Sequence, residues 1–144
     1  MYFPAKIIIG SDHAGFAYKQ QIIDYLSDKD IEIIDVGTDA DASCDYPDYA
    51  HALAKKIENK EAEYGILLCG SANGVAMAAN KHQKIRAALC WENEIAHLAR
   101  LHNDANVLCL PARYINIETA FEMINTFFTT DFEGGRHQKR VDKI

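Results

Sequence analysis

Short apolar runs alternate along the chain with longer segments in which apolar residues recur at helical spacing. The apolar runs predict five β-strands, at residues 6–10, 31–36, 64–69, 85–91 and 105–110. The segments with helical spacing predict five helices, at residues 16–29, 49–59, 73–81, 92–101 and 116–129. Most of the strands are continuously apolar, which is typical of a parallel sheet covered by helices on both faces.

Five repeats of a strand followed by a helix indicate βαβ units. We therefore predict an α/β fold: a three-layer α/β/α sandwich around a five-stranded parallel sheet, doubly wound in the Rossmann or flavodoxin manner. Five strands favour the flavodoxin-like order 2-1-3-4-5. Residues 1–144 are predicted to form a single domain, whose last segment, 131–144, is a polar tail with a glycine pair.

Composition narrows the class of protein. The net charge of −6 over 144 residues argues against nucleic acid or an anionic membrane as a partner. No run approaches the ~20 apolar residues of a membrane span, and the first residues, MYFPAK, lack a signal-peptide pattern. Four cysteines without a C-x-x-C pair indicate reduced thiols, so we expect a cytoplasmic protein. No HxxxH motif or Cys/His pair has ligand spacing, so no metal site is predicted.

In such a fold, ligands bind beyond the carboxyl ends of the strands. Three loops are expected there, with the sequences SDHAG at 11–15, CGSANG at 69–74 and PAR at 111–113. The segment LHND at 101–104 precedes the fifth strand and is therefore expected at the opposite edge of the sheet.

Cys69 stands at the last position of the third strand, where free backbone N–H groups of the next helix begin. Those groups favour negative charge and would stabilise a thiolate, which makes Cys69 a candidate base or nucleophile. The alternative is a small buried cysteine that only ends a strand. A phosphatase C-x5-R loop is excluded because position 75 is Val75. A flavin-binding loop is disfavoured because SDHAG is neither Ser/Thr-rich nor long enough to wrap a phosphate.

Other candidate residues are charged or polar. Arg136 and Arg140 are four residues apart and share a face if the tail is helical; with Arg113 they would offer planar cations suited to a phosphate. A solvated basic ending is the alternative. His13 and His102 stand beside Asp or Asn in predicted turns, where a polar role is favoured over packing.

Taken together, these segments resemble the B-type ribose-5-phosphate isomerases, which are related to the galactose-6-phosphate isomerase subunits. SDHAGF, CGSANG, HNDANV and GGRHQKR occur in order at the spacing of that family, and the resemblance covers almost the whole chain. It implies interconversion of ribose 5-phosphate and ribulose 5-phosphate through a cis-enediolate, without metal or organic cofactor. It also implies a dimer or tetramer with sites at the subunit interface.

The resemblance also implies roles for particular residues. Cys69 would move a proton between C2 and C1, and Ser71 would help proton movement between the enediolate oxygens. His102 would open the furanose ring with Asn103 beside it, acting in the neighbouring subunit's site. Substrate would be held by Asp12, which is also a candidate catalytic group, and by His13, Gly70, Ser71, Ala72, Asn73, Gly74, Arg113, Arg136 and Arg140.

The sequence departs from the family pattern in places. Ala72 stands where glycine is frequent, so we expect its backbone to avoid positive φ or the loop geometry to shift. Pro111 also stands where the family often has glycine. One branch of the family uses a glutamate base at the position of Val75; valine cannot take a proton, which leaves Cys69.

Two alternatives to the pentose isomerase remain open. One is an isomerase of a six-carbon sugar phosphate, allose 6-phosphate or galactose 6-phosphate, which the distance from Cys69 to the arginines would decide. The other is a non-catalytic sugar-phosphate-binding protein, such as a silent partner in a heteromeric isomerase. The presence of Cys69, His102 and three arginines argues against a silent partner.

Overall fold

The apolar runs form one five-stranded parallel sheet in the computed structural model, which describes residues 3–144. The strands are β1 (Lys6–Ser11), β2 (Glu32–Asp35), β3 (Tyr64–Cys69), β4 (Ala87–Leu89) and β5 (Val107–Pro111). The helices are α1 (Phe16–Ser27), α2 (Tyr46–Glu58), α3 (Asn73–Ala79), α4 (Asn93–Asn103), α5 (Ile117–Phe128) and α6 (Gln138–Val141), the last preceded by a 3₁₀ turn at Gly135–His137. Residues 1 and 2 lie outside the described residues; they belong to the N-terminal segment that is predicted to lack a signal-peptide pattern.

Helices cover both faces of the sheet, which confirms the predicted three-layer α/β/α fold. One apolar cluster packs α1, α4 and α5 against the sheet, and a second packs α2 and α3 against the other face. Within residues 3–144, no helix combines the length and apolar character that crossing a membrane requires.

The predicted strand order, 2-1-3-4-5, is wrong: the observed order is β2-β1-β3-β5-β4. Every residue of β5 is buried, whereas the three residues of β4 are all partly exposed, so the more apolar strand takes the interior position and the short one the edge. The chain therefore leaves β3, forms β4 at the edge of the sheet, and then returns to form β5 between β3 and β4. Right-handed crossovers in opposite directions place α3 and α4 on opposite faces, as observed.

Charged side chains attach the end of α4 to the amino edge of the sheet. Arg100 donates from Nη1 to Asp104 Oδ1 at 2.9 Å and to the Ala105 carbonyl at 2.7 Å. Arg86, just before β4, donates to the other oxygen of Asp104 at 3.1 Å. Since Arg100 is 3% exposed, this buried charge is compensated by its hydrogen bonds, and the last turn of α4 is held in place.

Candidate active site

Three loops meet at the carboxyl edge because β1, β3 and β5 are neighbours. Cys69 pairs with Pro111 in the sheet register, so the residues that follow β3 and β5 leave the sheet side by side. The Arg113 N–H donates to the Gly70 carbonyl at 3.1 Å, and the Asp12 N–H donates to the Leu68 carbonyl at 3.3 Å. These contacts bring the predicted loops 11–15, 69–74 and 111–113 together.

Asp12 organises the loop after β1. Its Oδ1 atom accepts hydrogen bonds from the N–H groups of Ala14, at 2.9 Å, and Gly15, at 3.2 Å. The residue is 7% exposed. One carboxylate oxygen thus shapes the turn that presents His13, and the other oxygen is not used by these two bonds.

The His13 ring is held by a residue that sequence reasoning assigned no role. Its Nδ1 atom accepts the Cys44 backbone N–H at 3.2 Å, and the Cys44 sulfur lies 4.0 Å from the same nitrogen. A nitrogen that accepts a hydrogen bond carries no proton, so the neutral ring holds its proton on Nε2. His13 is therefore prepared to donate from Nε2.

Cys69 ends β3 at the base of the 70–74 loop and is 5% exposed. The Arg113 side chain covers the loop directly: a Cβ added to Gly70 would lie 3.3 Å from Arg113 Cδ and 3.3 Å from Nη1. The Ser71 hydroxyl oxygen accepts from the Asn73 side-chain amide at 3.2 Å. Cys69 thus directly precedes a loop whose first residue, Gly70, lies against the Arg113 side chain.

Ala72 adopts the conformation that it was expected to avoid. Its φ is +64° and its ψ is −2°, in the left-handed region. The first of the two expected alternatives, that Ala72 avoids positive φ, is therefore wrong, and the left-handed backbone costs about 1–2 kcal/mol. The methyl group is fully buried in the cluster that α2 and α3 form with the sheet, and this burial offsets part of the strain.

Tyr46 borders the same loop and was missed by sequence reasoning. Any side chain at Gly74 would collide with the Tyr46 ring, which is 40% exposed. Helix α2 begins at Tyr46, three residues earlier than predicted, because Pro47 occupies the first turn and needs no N–H partner there. The only sequence signal for this placement was the proline.

The remaining predicted site residues lie at the opposite edge of the sheet. His102 and Asn103 end α4, which runs from the carboxyl edge back to the amino edge. The Glu133 N–H donates to the Leu101 carbonyl at 2.9 Å, which fixes the tail beside them. Arg136 and Arg140 follow in that tail, where Arg140 Nη1 donates to the Arg136 carbonyl at 3.0 Å.

The structure thus divides the predicted site into two halves. Residues at the carboxyl edge are Asp12, His13, Cys69, Gly70, Ser71, Ala72, Asn73, Gly74 and Arg113. Residues at the amino edge are His102, Asn103, Arg136 and Arg140. The expected placement of His102 is confirmed, but Arg113 does not form a cluster with the two tail arginines inside one chain.

At the amino edge, the rings of His102 and His137 stack. Their centroids are 4.1 Å apart and their planes differ by 14°. Burial, together with the nearby His102 and Arg136, lowers the pKa of His137 below its usual value. The neutral ring is therefore favoured near neutral pH.

The four thiols differ in accessibility, which predicts the order of their alkylation. Burial raises the pKa of Cys90 to about 12 and also raises that of Cys109, and both side chains are fully buried. We expect iodoacetamide to label Cys44 first, since it is partly exposed, then Cys69, and Cys90 and Cys109 only after unfolding. Peptide mass mapping over time, in buffer and in urea, measures this order. Early labelling of Cys90 in buffer would contradict it.

Comparison with known proteins covers nearly the whole chain. The family model described as Ribose/Galactose Isomerase matches residues 7–144. A probable ribose-5-phosphate isomerase B of Mycoplasma pneumoniae is 46% identical over 96% of this chain and 91% of its own. The crystal structure of a ribose 5-phosphate isomerase from Thermotoga maritima superposes with a TM-score of 0.95 at 50% identity, covering 96% of both chains.

A further structure, ribose-5-phosphate isomerase B of Mycoplasma genitalium with bound ribulose-5-phosphate, is 43% identical with a TM-score of 0.91. It covers 96% of this chain and 92% of its own. The resemblance found in the motifs is confirmed by sequence and by fold. This chain belongs to the ribose/galactose isomerase family.

Proposed function

We propose that the protein interconverts ribose 5-phosphate and ribulose 5-phosphate. The observation that carries this proposal is the junction of β3 and β5, where Cys69 pairs with Pro111 and the Arg113 side chain lies over Gly70. The similarity to an isomerase solved with bound ribulose-5-phosphate supports the choice of sugar.

In the proposed reaction, Cys69 acts as the base. Its sulfur takes the proton from C2 of the open-chain aldose, and the protonated thiol returns a proton to C1. A positioned base contributes roughly 10²–10⁴-fold to such a step. The Ser71 hydroxyl assists proton movement between the two oxygens of the cis-enediolate.

Backbone N–H groups of residues 70–74 would stabilise the developing charge on those oxygens. Each preorganised donor of this kind contributes roughly 3–4 kcal/mol. Several donors aimed at two oxygens therefore outweigh the base. The left-handed backbone of Ala72 supports this role, because it gives the loop a conformation that glycine, the frequent residue at this position, adopts most readily.

The second half of the site would come from a neighbouring subunit. His102 would open the furanose ring as acid and base, with Asn103 beside it, and Arg136 and Arg140 would join Arg113 of the other chain at the phosphate. Two observations support a homo-oligomer, dimer or tetramer: these residues lie at the amino edge of their own chain, and His102 is 32% exposed there. Asp12 and His13 would contact the sugar from the chain that supplies Cys69.

The family description includes galactose, so a six-carbon sugar phosphate is the second candidate substrate. A silent, non-catalytic binding protein is disfavoured because the chain carries Cys69 at the end of β3 and has Arg113 against the loop that follows it. The free Cys44, which is partly exposed, supports the predicted cytoplasmic location, since accessible thiols persist in reducing compartments.

A ketose assay tests the proposal directly. Purified protein is incubated with ribose 5-phosphate, allose 6-phosphate and galactose 6-phosphate, and ketose formation is followed by colour reaction. We expect the highest kcat/KM with ribose 5-phosphate. Turnover of a hexose phosphate alone would reassign the substrate, and no turnover of any of the three would reject the activity.

A further inference from the structure

Three potential metal ligands converge beside the last turn of α4. His102 Nε2 lies 3.7 Å from Glu133 Oε2, and His137 Nε2 lies 3.5 Å from the same oxygen. The three atoms all fall within 4.8 Å of one another. We refer to His102, Glu133 and His137 as the amino-edge triad.

The triad contains a buried nitrogen that makes no hydrogen bond. His137 is 8% exposed, and its Nε2 atom has no hydrogen-bond partner although it points toward Glu133. Buried polar atoms are normally satisfied, so an unsatisfied one indicates a missing partner. The backbone of Glu133 is held beside α4, because its N–H donates a hydrogen bond to the Leu101 carbonyl.

We propose that the amino-edge triad binds a single divalent transition-metal ion of the zinc type. Two imidazole nitrogens and one carboxylate form a ligand set that zinc accepts with a fourth position left open. In a tetrahedral site with bonds of about 2.1 Å, neighbouring ligand atoms lie about 3.4 Å apart. The two distances from Glu133 Oε2 to the histidine nitrogens, 3.5 and 3.7 Å, are close to that value, and all three ligand atoms lie within 4.8 Å of one another.

Binding requires a small rearrangement. A metal ion lies in the plane of each imidazole that binds it, whereas the rings of His102 and His137 are stacked nearly in parallel. The rings must therefore tilt apart. The His102 ring can tilt away from His137 and the Glu133 carboxylate can follow the metal ion, because these side chains are 32% and 49% exposed.

Neighbouring charge decides which metals fit. Arg136 directly precedes His137 in the chain, and Arg140 donates to the Arg136 carbonyl at 3.0 Å, so positive charge lies beside the triad and repels a cation. Hard ions such as Mg²⁺ bind mainly through charge and oxygen ligands, so they are disfavoured here. Ions that form strong bonds to nitrogen, such as Zn²⁺ and Co²⁺, overcome the repulsion.

A second group of the same composition provides the matched control. Glu58, His82 and His51 are joined in a line, with His82 Nδ1 at 2.6 Å from Glu58 and His82 Nε2 at 2.8 Å from His51. The central histidine uses one nitrogen for each neighbour. No single point is therefore within bonding reach of three free ligand atoms, and we expect no metal there.

Metal binding at the amino-edge triad also affects activity, an expectation that rests on the proposed function. A metal bound to His102 occupies the nitrogen that would exchange protons with the furanose ring. Zinc would then slow the reaction of ring-closed ribose 5-phosphate, and a chelator would restore it.

Cobalt titration tests the site without reference to activity. We expect Co²⁺ to produce the visible absorption of a tetrahedral complex, at one ion per chain, and Zn²⁺ to remove it by competition. Loss of an outer-shell partner typically costs 10–100-fold in metal affinity, so loss of a ligand in His137→Ala should cost more than about 100-fold. Glu133→Gln, at a partly exposed position that tolerates an isosteric amide, should also weaken binding, whereas His51→Ala should leave it unchanged.

The outcomes separate the two proposals. Equal Co²⁺ affinity in the parent protein, His137→Ala and Glu133→Gln, with circular dichroism confirming the fold of each, would overturn the metal site. Loss of the cobalt spectrum in both variants, with unimpaired turnover of ribose 5-phosphate by the zinc-loaded parent, would support the site and overturn the role of His102 in ring opening. Absence of turnover in the metal-free protein would reject the activity and leave the cobalt result standing.

Discussion

Replacing Cys69 with alanine is expected to lower kcat for ribose 5-phosphate by about 10²–10⁴-fold, the usual contribution of a positioned base. The change in KM should be small, because phosphate binding is assigned to the arginines. The substitution removes one sulfur atom from a site that is 5% exposed, so the fold should be retained. Steady-state kinetics and a thermal unfolding curve measure the two effects.

Cys44→Ala is the matched control for this experiment. Its sulfur lies 4.0 Å from His13, so it is a second thiol close to the same site. We expect Cys44→Ala to keep most of the activity, because the contact that holds His13 comes from the backbone N–H. A Cys69→Ala variant within tenfold of the parent kcat would remove the assignment of the base.

Mixing two impaired variants is expected to restore activity if the site is shared between subunits. Cys69→Ala lacks the base and His102→Ala lacks the ring-opening group, so each homo-oligomer is defective at every site. In a hetero-oligomer of the two, one class of site takes Cys69 from one chain and His102 from the other. Each mixed dimer should therefore regain one of its two sites, and turnover should rise toward half of the parent value.

Co-expression with two different affinity tags allows the mixed species to be isolated and assayed. A chain that carries both substitutions, paired with the unmodified chain, is the control and should be impaired at both sites. The opposite pattern, with no restoration in the first mixture and half activity in the second, would show that His102 serves the Cys69 of its own chain.

The hydrophobic pattern predicted most of the fold because burial dictates it locally. Strand β3 has the predicted limits, since all of its residues but Tyr64 are buried. Strand β4 is only Ala87–Leu89, shorter than the predicted run, because an edge strand pairs on one side alone. The strand order was not predictable in the same way, because it depends on the relative burial of β4 and β5 rather than on the pattern within either.

Local motifs predicted the carboxyl edge of the site, because three adjacent strands deliver their loops to one place. They could not predict contacts between residues distant in sequence, such as Cys44 with His13 or Tyr46 with Gly74. The amino-edge triad was missed for the same reason. Glu133 and His137 are four residues apart in the tail, but the third ligand, His102, lies on α4.

The exchange of the last two strands determines which side chain accompanies the sulfur. Neighbouring strands are about 4.8 Å apart, so a β4 placed next to β3 would have moved Arg113 outward by roughly that distance. The chain leaving β4 would then have brought Trp91, now 53% exposed, beside Cys69. An indole in place of a guanidinium would have offered an apolar wall to an anionic sugar, so the path of the chain through the sheet sets a cation against the loop that follows Cys69.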